Sequence, residues 1–136
     1  MIFDSDVLIW FLRREPHAME LIDTTPDLAV PIVAVIEVLQ GAKSKVEMRL
    51  IRNWFVSSGF RILPLNESIG AAAMELIEEH ALSSGLQLAD ALIAATAIEA
   101  GEALVTGNTK HFRAVRKLEL KAFRPRRGAR SLKLAH

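Results

Sequence analysis

The chain has no cysteine, so a disulfide framework, a zinc–thiolate centre and a thiol nucleophile are all excluded. It has no long hydrophobic run: the longest uncharged apolar stretch, Leu28 to Ile36, is far too short to span a bilayer. The N-terminus does not read as a signal peptide, because Asp4 and Asp6 interrupt its apolar residues and no basic segment precedes them. A reducing, cytoplasmic setting without membrane contact is therefore expected. There is no phosphate-cradling glycine loop, since Gly107 stands alone, and no nucleophile elbow for Ser/His/Asp chemistry. None of the four histidines, His17, His80, His111 and His136, has a second histidine at ligand spacing, which argues against zinc.

What is present suits a folded domain. The chain has 136 residues, enough for one core, and its 51% hydrophobic content excludes general disorder. The net charge of +1 conceals an uneven distribution. Residues 1–109 carry seven Lys/Arg against fifteen acids, whereas residues 110–136 carry ten against Glu119 alone. A basic end on an acidic body suggests contact with a polyanion or an acidic partner, although a merely solvated tail has the same composition.

Apolar segments and breakers alternate along the chain. Ile2-Phe3, Leu28–Val30, Arg61–Leu65, Ala103–Thr106 and Leu118–Lys121 read as strands. Between them, Val7–Arg13, Pro16–Asp23, Val33–Ala42, Lys45–Ser57, Glu67–Ala81, Leu88–Ala100 and Asn108–Val115 read as helices. In Lys45–Ser57, residues Val46, Leu50, Trp54 and Phe55 are expected to share the inward face. Strands separated by helices imply a parallel sheet covered on both faces. A domain over residues 1–125 is expected, followed by a basic, mobile tail over 126–136.

The chemistry concentrates at four points. Asp4 follows the first strand and Asp6 stands two residues on, at a helix start; either could simply cap that helix. Glu37 is the only charge between Leu28 and Ala42, with small or uncharged neighbours one turn away; an exposed outer-face glutamate is the plain alternative. Asp90 is the only charge in the alanine-rich run before Glu99, where it could also just stabilise its helix. Asn108 follows the fourth strand and offers a neutral oxygen or a cap. In a parallel sheet with helical crossovers, strand ends and helix starts face one rim. An all-oxygen cluster there suits Mg²⁺ or Mn²⁺.

Four segments then resemble the PIN domain, and within it the small VapC-like toxins of toxin–antitoxin pairs. They are Ile2-Phe3-Asp4-Ser5-Asp6-Val7-Leu8-Ile9, Ile36-Glu37-Val38-Leu39-Gln40-Gly41-Ala42, Leu88-Ala89-Asp90-Ala91-Leu92-Ile93-Ala94-Ala95-Thr96-Ala97 and Leu104-Val105-Thr106-Gly107-Asn108-Thr109-Lys110-His111-Phe112. The resemblance implies an α/β fold: a three-layer α/β/α PIN-like domain with a central parallel sheet. It also implies a Mg²⁺- or Mn²⁺-dependent endoribonuclease, a VapB-like antitoxin partner and an RNA substrate. It carries the family's acids onto Asp4, Glu37 and Asp90 as metal-holding catalytic residues. The fourth position, often Asp, falls on Asn108, while Asp6 stands where Asn is common, so Asp6 and Asn108 are expected to adjust the metal shell. Arg13, Arg14, Lys43, Lys110 and Arg113 follow the motifs and are candidate RNA contacts, with ordinary surface charge as the alternative reading. A homodimer is expected, two-fold pairing being the commonest assembly. Two rivals remain: an RNA- or protein-binding module with weak catalysis, and a HAD-like phosphatase. The phosphatase rests on Asp4-Ser5-Asp6-Val7, but the distal acidic pair it needs is missing after the fourth strand.

Overall fold

The computed structural model describes residues 1–126. Within them, five strands and seven helices alternate. They are β1 (Ile2–Phe3), α1 (Ser5–Leu12), α2 (Pro16–Thr24), β2 (Ala29–Pro31), α3 (Ile32–Gln40), α4 (Lys45–Ser57), β3 (Arg61–Leu63), α5 (Glu67–Ser84), α6 (Leu88–Ala100), β4 (Leu104–Thr106), α7 (Thr109–Phe112) and β5 (Leu120–Ala122). The strands form one sheet in the order β3-β2-β1-β4-β5, every pair parallel. Consecutive residues of β1, β2 and β4 are buried, although successive side chains point to opposite faces, so the central strands are covered on both sides. This is the expected layered α/β architecture.

The chain runs outward from β1 through β2 to β3, then returns to lay β4 and β5 on the other side of β1. The order thus reverses beside β1, and a crevice opens outside the carboxyl ends of β1 and β4. Pairing of Phe3 with Val105 sets Asp4 beside Thr106 at that crevice. At the opposite rim, Arg61 bonds Asp27 at 2.9 Å and Glu102 at 3.0 Å, and the N-terminal amine also meets Glu102. Those acids are therefore neutralised by cations.

Several boundaries depart from the sequence reading for local reasons. Helix α1 begins at Ser5 rather than Val7, because Asp4 itself is the cap and accepts the Ser5 N–H at 2.7 Å. Helix α5 runs on to Ser84, where Gly85 adopts φ 74° and closes it; the Ser83-Ser84 pair did not break it earlier. Strand β2 includes Pro31, and β5 begins two residues later and ends one residue later than its alternation suggests. The inward face of α4 is also different from the expected one. Ile51 and Phe55 are buried, Trp54 is half-buried, and Val46 and Leu50 are 59% and 64% exposed. The helix carries a stripe wider than the face it buries. Residues 46, 50 and 54 follow an i, i+4 spacing that drifts off the core-facing line through 51 and 55.

The far C-terminal segment is tied down up to Arg126. The buried Glu15 carboxylate caps α2 by accepting the Ala18 N–H at 2.7 Å and also accepts the Arg126 N–H at 2.9 Å. Burial works against the charge, but these backbone donors and nearby His17 hold the Glu15 carboxyl below its ordinary value. Glu15→Ala should therefore destabilise the fold by about 1–2 kcal/mol, the usual cost of a lost cap, as read by urea denaturation. An unchanged midpoint would show that Glu15 does not fasten the segment. The tail beyond Arg126 lies outside the described residues.

Candidate metal centre

The crevice is an open cleft of about 410 Å³. Asp4, Asp6, Glu37, Asp90, Asn108 and His111 line it. Ser5, Gln40 and the α6 start at Gln87–Ala89 complete it. All three of the acids singled out by the sequence motifs thus reach one hollow, each brought by a different element. Asp4 comes from the end of β1, Glu37 from the middle of α3 and Asp90 from the first turn of α6.

Asp4 is only 5% exposed, and both its oxygens are engaged. Oδ1 accepts the Ser5 N–H, and Oδ2 accepts the Thr106 hydroxyl at 2.8 Å. Thr106 is itself fully buried and accepts the Asn108 N–H at 3.0 Å on the same oxygen. The Ser5 hydroxyl donates to Glu37 Oε1 at 3.0 Å, linking α1 to α3. Asp6 accepts the Val7 N–H at 2.8 Å and, with its other oxygen, the Gly107 N–H at 2.8 Å. A Cβ at Gly107 would lie 2.7 Å from that Asp6 oxygen, so only glycine permits this approach without moving the carboxylate. Asp90 accepts the Gln87 N–H at 3.1 Å, stabilising the start of α6, and faces His111 Nδ1 at 3.2 Å. His111 Nδ1 also lies 3.0 Å from Asn108 Nδ2.

The capping alternatives prove compatible with the cleft. Asp4 caps α1 and Asp90 bonds back to its own helix start, yet both line the hollow. Asn108 is the cap residue of α7 without a side-chain cap bond. Three members were not singled out from the sequence. Ser5 and Thr106 lie inside the quoted motifs, but nothing in their spacing marks them as carboxylate holders. His111 has no second histidine at ligand spacing to mark it, and it meets Asp90 across 21 positions. The five basic candidates do not line the cleft. Arg13 and Arg14 lie past the far end of α1, about 12 Å of helix from Asp4. Lys43, Lys110 and Arg113 are exposed, with Lys110 adjacent to His111 in α7.

The electrostatics are those of crowded carboxylates, of which Asp4 is the most enclosed. Burial, followed by the neighbouring Asp6 and Glu37 charges, pushes the Asp4 carboxyl up to about 8, against the pull of the Thr106 and Ser5 bonds. Burial and Glu37 push Asp6 up to about 6 despite its backbone donors. Among the described residues, no Lys or Arg pairs with Asp4 or Asp6, in contrast to the opposite rim. Among those residues, too, no group of three or more His, Asp or Glu side chains is arranged as a ready-made metal cage. The donor set itself, one buried and three half-buried carboxylates around an open cleft, fits a hard divalent cation that keeps part of its hydration shell.

Comparison with known proteins identifies the family and the fold. The PIN domain profile matches residues 1–118, and the chain belongs to the PIN domain family. Among solved structures it is similar to a toxin–antitoxin complex from Klebsiella pneumoniae, with 28% identity and a TM-score of 0.71, over 86% of this chain and 93% of that one. It also shares its fold with VapBC2 from Rickettsia felis bound to a promoter DNA fragment, with 23% identity and a TM-score of 0.73, over 91% and 100% of the two chains. DNA-bound VapBC from Salmonella typhimurium superposes with a TM-score of 0.75 at 20% identity, over 89% and 96%. A comparison with curated protein sequences finds no match. Membership of the PIN family sets aside the HAD-like phosphatase. Among the described residues no helix is long and apolar enough to cross a membrane.

Proposed function

We propose that the chain is a Mg²⁺- or Mn²⁺-dependent endoribonuclease and the toxin of a cytoplasmic toxin–antitoxin pair. The observation that carries this reading is the gathering of Asp4, Asp6, Glu37 and Asp90 at the switch-point cleft, where buried Asp4 and half-buried Asp6 have no Lys or Arg partner among the described residues. Asp4, Glu37 and Asp90 would hold the cation, with Asp6 and Asn108 adjusting its shell. A cation bound there supplies an acidified water and offsets charge on the phosphodiester in flight. The chain's own contribution is orientation. Ser5 and Thr106 hold the two oxygens of Asp4, Ser5 also bonds Glu37, and His111 meets Asp90; these bonds would keep mutually repelling carboxylates around the cleft for a shared cation. With no side-chain nucleophile required, the attacking oxygen comes from water.

The toxin role draws on the toxin–antitoxin complexes to which the fold is similar. An antitoxin would find apolar anchorage on α4, where Val46 and Leu50 are exposed, and could quench the cleft with an Arg guanidinium placed among the carboxylates. A homodimer, a nuclease domain over residues 1–125 and a separate basic tail over 126–136 belong to the same reading. So do Arg13, Arg14, Lys43, Lys110 and Arg113 as a distributed approach field for RNA rather than cleft residues.

Incubation of the purified chain with end-labelled RNA tests the proposal. Cleavage is expected in Mg²⁺ or Mn²⁺ and should stop with EDTA. Expression of the chain alone should arrest growth, and co-expression of the small protein encoded beside it should restore growth. A folded chain that is harmless and leaves RNA intact in both metals would favour the binding-module reading, to which the uncharged Asn108 already lends some support.

A further inference from the structure

A second hollow, of about 560 Å³, adjoins the acidic cleft, and Asp6 and Asn108 line both. Its other walls include Trp10, Gly107, Arg124 and Pro125. We propose that this hollow seats one unpaired RNA base next to the cleaved phosphate, with Trp10 as the stacking surface and Arg124 as the cation that holds the base or its flanking phosphate. The proposal rests on the ribonuclease reading and adds to it a determinant of substrate choice.

Size and chemistry both fit. The volume is in the range that encloses small organic ligands. Trp10 is half-buried and packs against the core with part of its surface. Elsewhere Phe11 stacks on Trp54, which meets Phe55 and Phe60 at tilted angles, and Phe55 meets Phe60 edge-on. Among the described residues, Trp10 enters no such pair, so its ring is not consumed by another aromatic. Among the described residues lining the two hollows, Arg124 is the only Lys or Arg. It is exposed, and among the described residues its guanidinium forms no ion pair. An aromatic face beside a free guanidinium is how proteins hold single-stranded bases, whereas paired bases cannot be splayed into such a site.

The backbone that carries Arg124 is held in place. The preceding Phe123 N–H donates to the Thr106 carbonyl at 2.8 Å, and the Phe123 ring stacks on His17 with centroids 5.1 Å apart. His17 Nδ1 meets the Arg124 carbonyl, and the Arg126 N–H is held by Glu15. Backbone attachments at Phe123, Arg124 and Arg126 therefore fix the chain around Arg124, one of them to the same Thr106 that orients Asp4. The wall shared by the two hollows is equally fixed, because Asp6 is bonded to Gly107 N–H. A base in this hollow would thus stand at a set distance from the carboxylates, which is the requirement for reading sequence beside the cut.

The test compares wild type with Trp10→Leu, Trp10→Phe and Arg124→Gln as full-length proteins, each checked by circular dichroism. Arg124→Gln changes an exposed side chain and keeps the test valid if Trp10→Leu does not fold. Cut sites are mapped on a randomised single-stranded RNA pool in Mn²⁺. Binding of a fluorescein-labelled RNA heptamer is measured separately in EDTA by anisotropy. Trp10→Leu and Arg124→Gln should each weaken heptamer binding about tenfold, the scale of lost base stacking or a phosphate contact, and should relax the base preference at one position beside the cut. Trp10→Phe should retain most of both. If wild type cleaves RNA but the folded variants bind the heptamer and choose cut sites as wild type does, the subsite falls and the nuclease stands. If wild type itself neither cleaves nor binds RNA, the nuclease reading falls and takes the subsite with it.

Discussion

Asp4→Asn should reduce metal-dependent RNA cleavage by more than about 100-fold while making the metal-free protein more stable at pH 8. The loss of activity is set by comparison with groups that only orient metal ligands, whose removal costs about 10–100-fold; a carboxylate that itself holds the cation should exceed that. The gain in stability follows from burial. Asp4 is the most enclosed of the cleft acids, and at pH 8 a good part of it must carry charge beside Asp6 and Glu37. Asparagine keeps the shape and can still accept the Ser5 N–H, and the Thr106 hydroxyl can rotate to accept from the new amide. The charge and its repulsion disappear. Opposite signs for activity and stability are the mark of a site built against the fold's own preference. Asp6→Asn should cost less activity, because one Asp6 oxygen is spent on Gly107. Initial rates on labelled RNA and melting curves in EDTA measure both effects. Cleavage by Asp4→Asn within a few-fold of wild type at saturating Mg²⁺ would remove Asp4 from the mechanism.

The parts of this site that were legible in the sequence are those where a charge interrupts an apolar run. Asp4, Glu37 and Asp90 stand out because their neighbours must be buried, and parallel topology then sends strand ends and helix starts to one rim. Lys45–Ser57 and Leu88–Ala100 were readable to the residue, since Ser44 caps the first and Gly101, at φ 67°, closes the second. Their faces were less readable. Helix α4 carries more apolar surface than the core takes up, and periodicity cannot say which part of a wide stripe is covered. Ser5, Thr106 and His111 were illegible as site members for a different reason. Their roles depend on hydrogen bonds across 32, 102 and 21 positions, set by the pairing of β1 with β4 and the placement of α3 and α7. Arg124 escaped notice because it falls in a basic stretch whose composition suggests a solvated tail, and only its neighbours' bonds to Thr106, His17 and Glu15 separate it from that tail.

Removing divalent metal should make the protein's stability fall as pH rises from 5 to 8, the reverse of ordinary acid denaturation. Asp4 and Asp6 have native values of about 8 and about 6, both above the 3.8 of an unperturbed aspartate. Between those limits the native state binds more protons than the unfolded chain, so stability declines with increasing pH. The contribution is fully present below about pH 4 and lost as pH passes through the native values. Glu15 acts in the opposite sense, since its lowered value gives stability that disappears only as pH falls through the acid range. A metal-free optimum below neutrality should result. Mg²⁺ or Mn²⁺ competes with protons for the same oxygens, so its effect should be small at pH 5 and large at pH 8. At a concentration of 100 Kd the stabilisation is about 2.7 kcal/mol, or on the order of 10 °C in Tm for a domain of this size. Differential scanning fluorimetry at pH 5, 6, 7 and 8, with EDTA and with each metal, reads the whole pattern. Asp4→Asn should flatten the EDTA profile and remove most of the metal response. A melting temperature in EDTA that is level or rising from pH 5 to 8, or a metal shift equal at both ends, would show that the cleft acids are not held as protonated, cation-seeking groups.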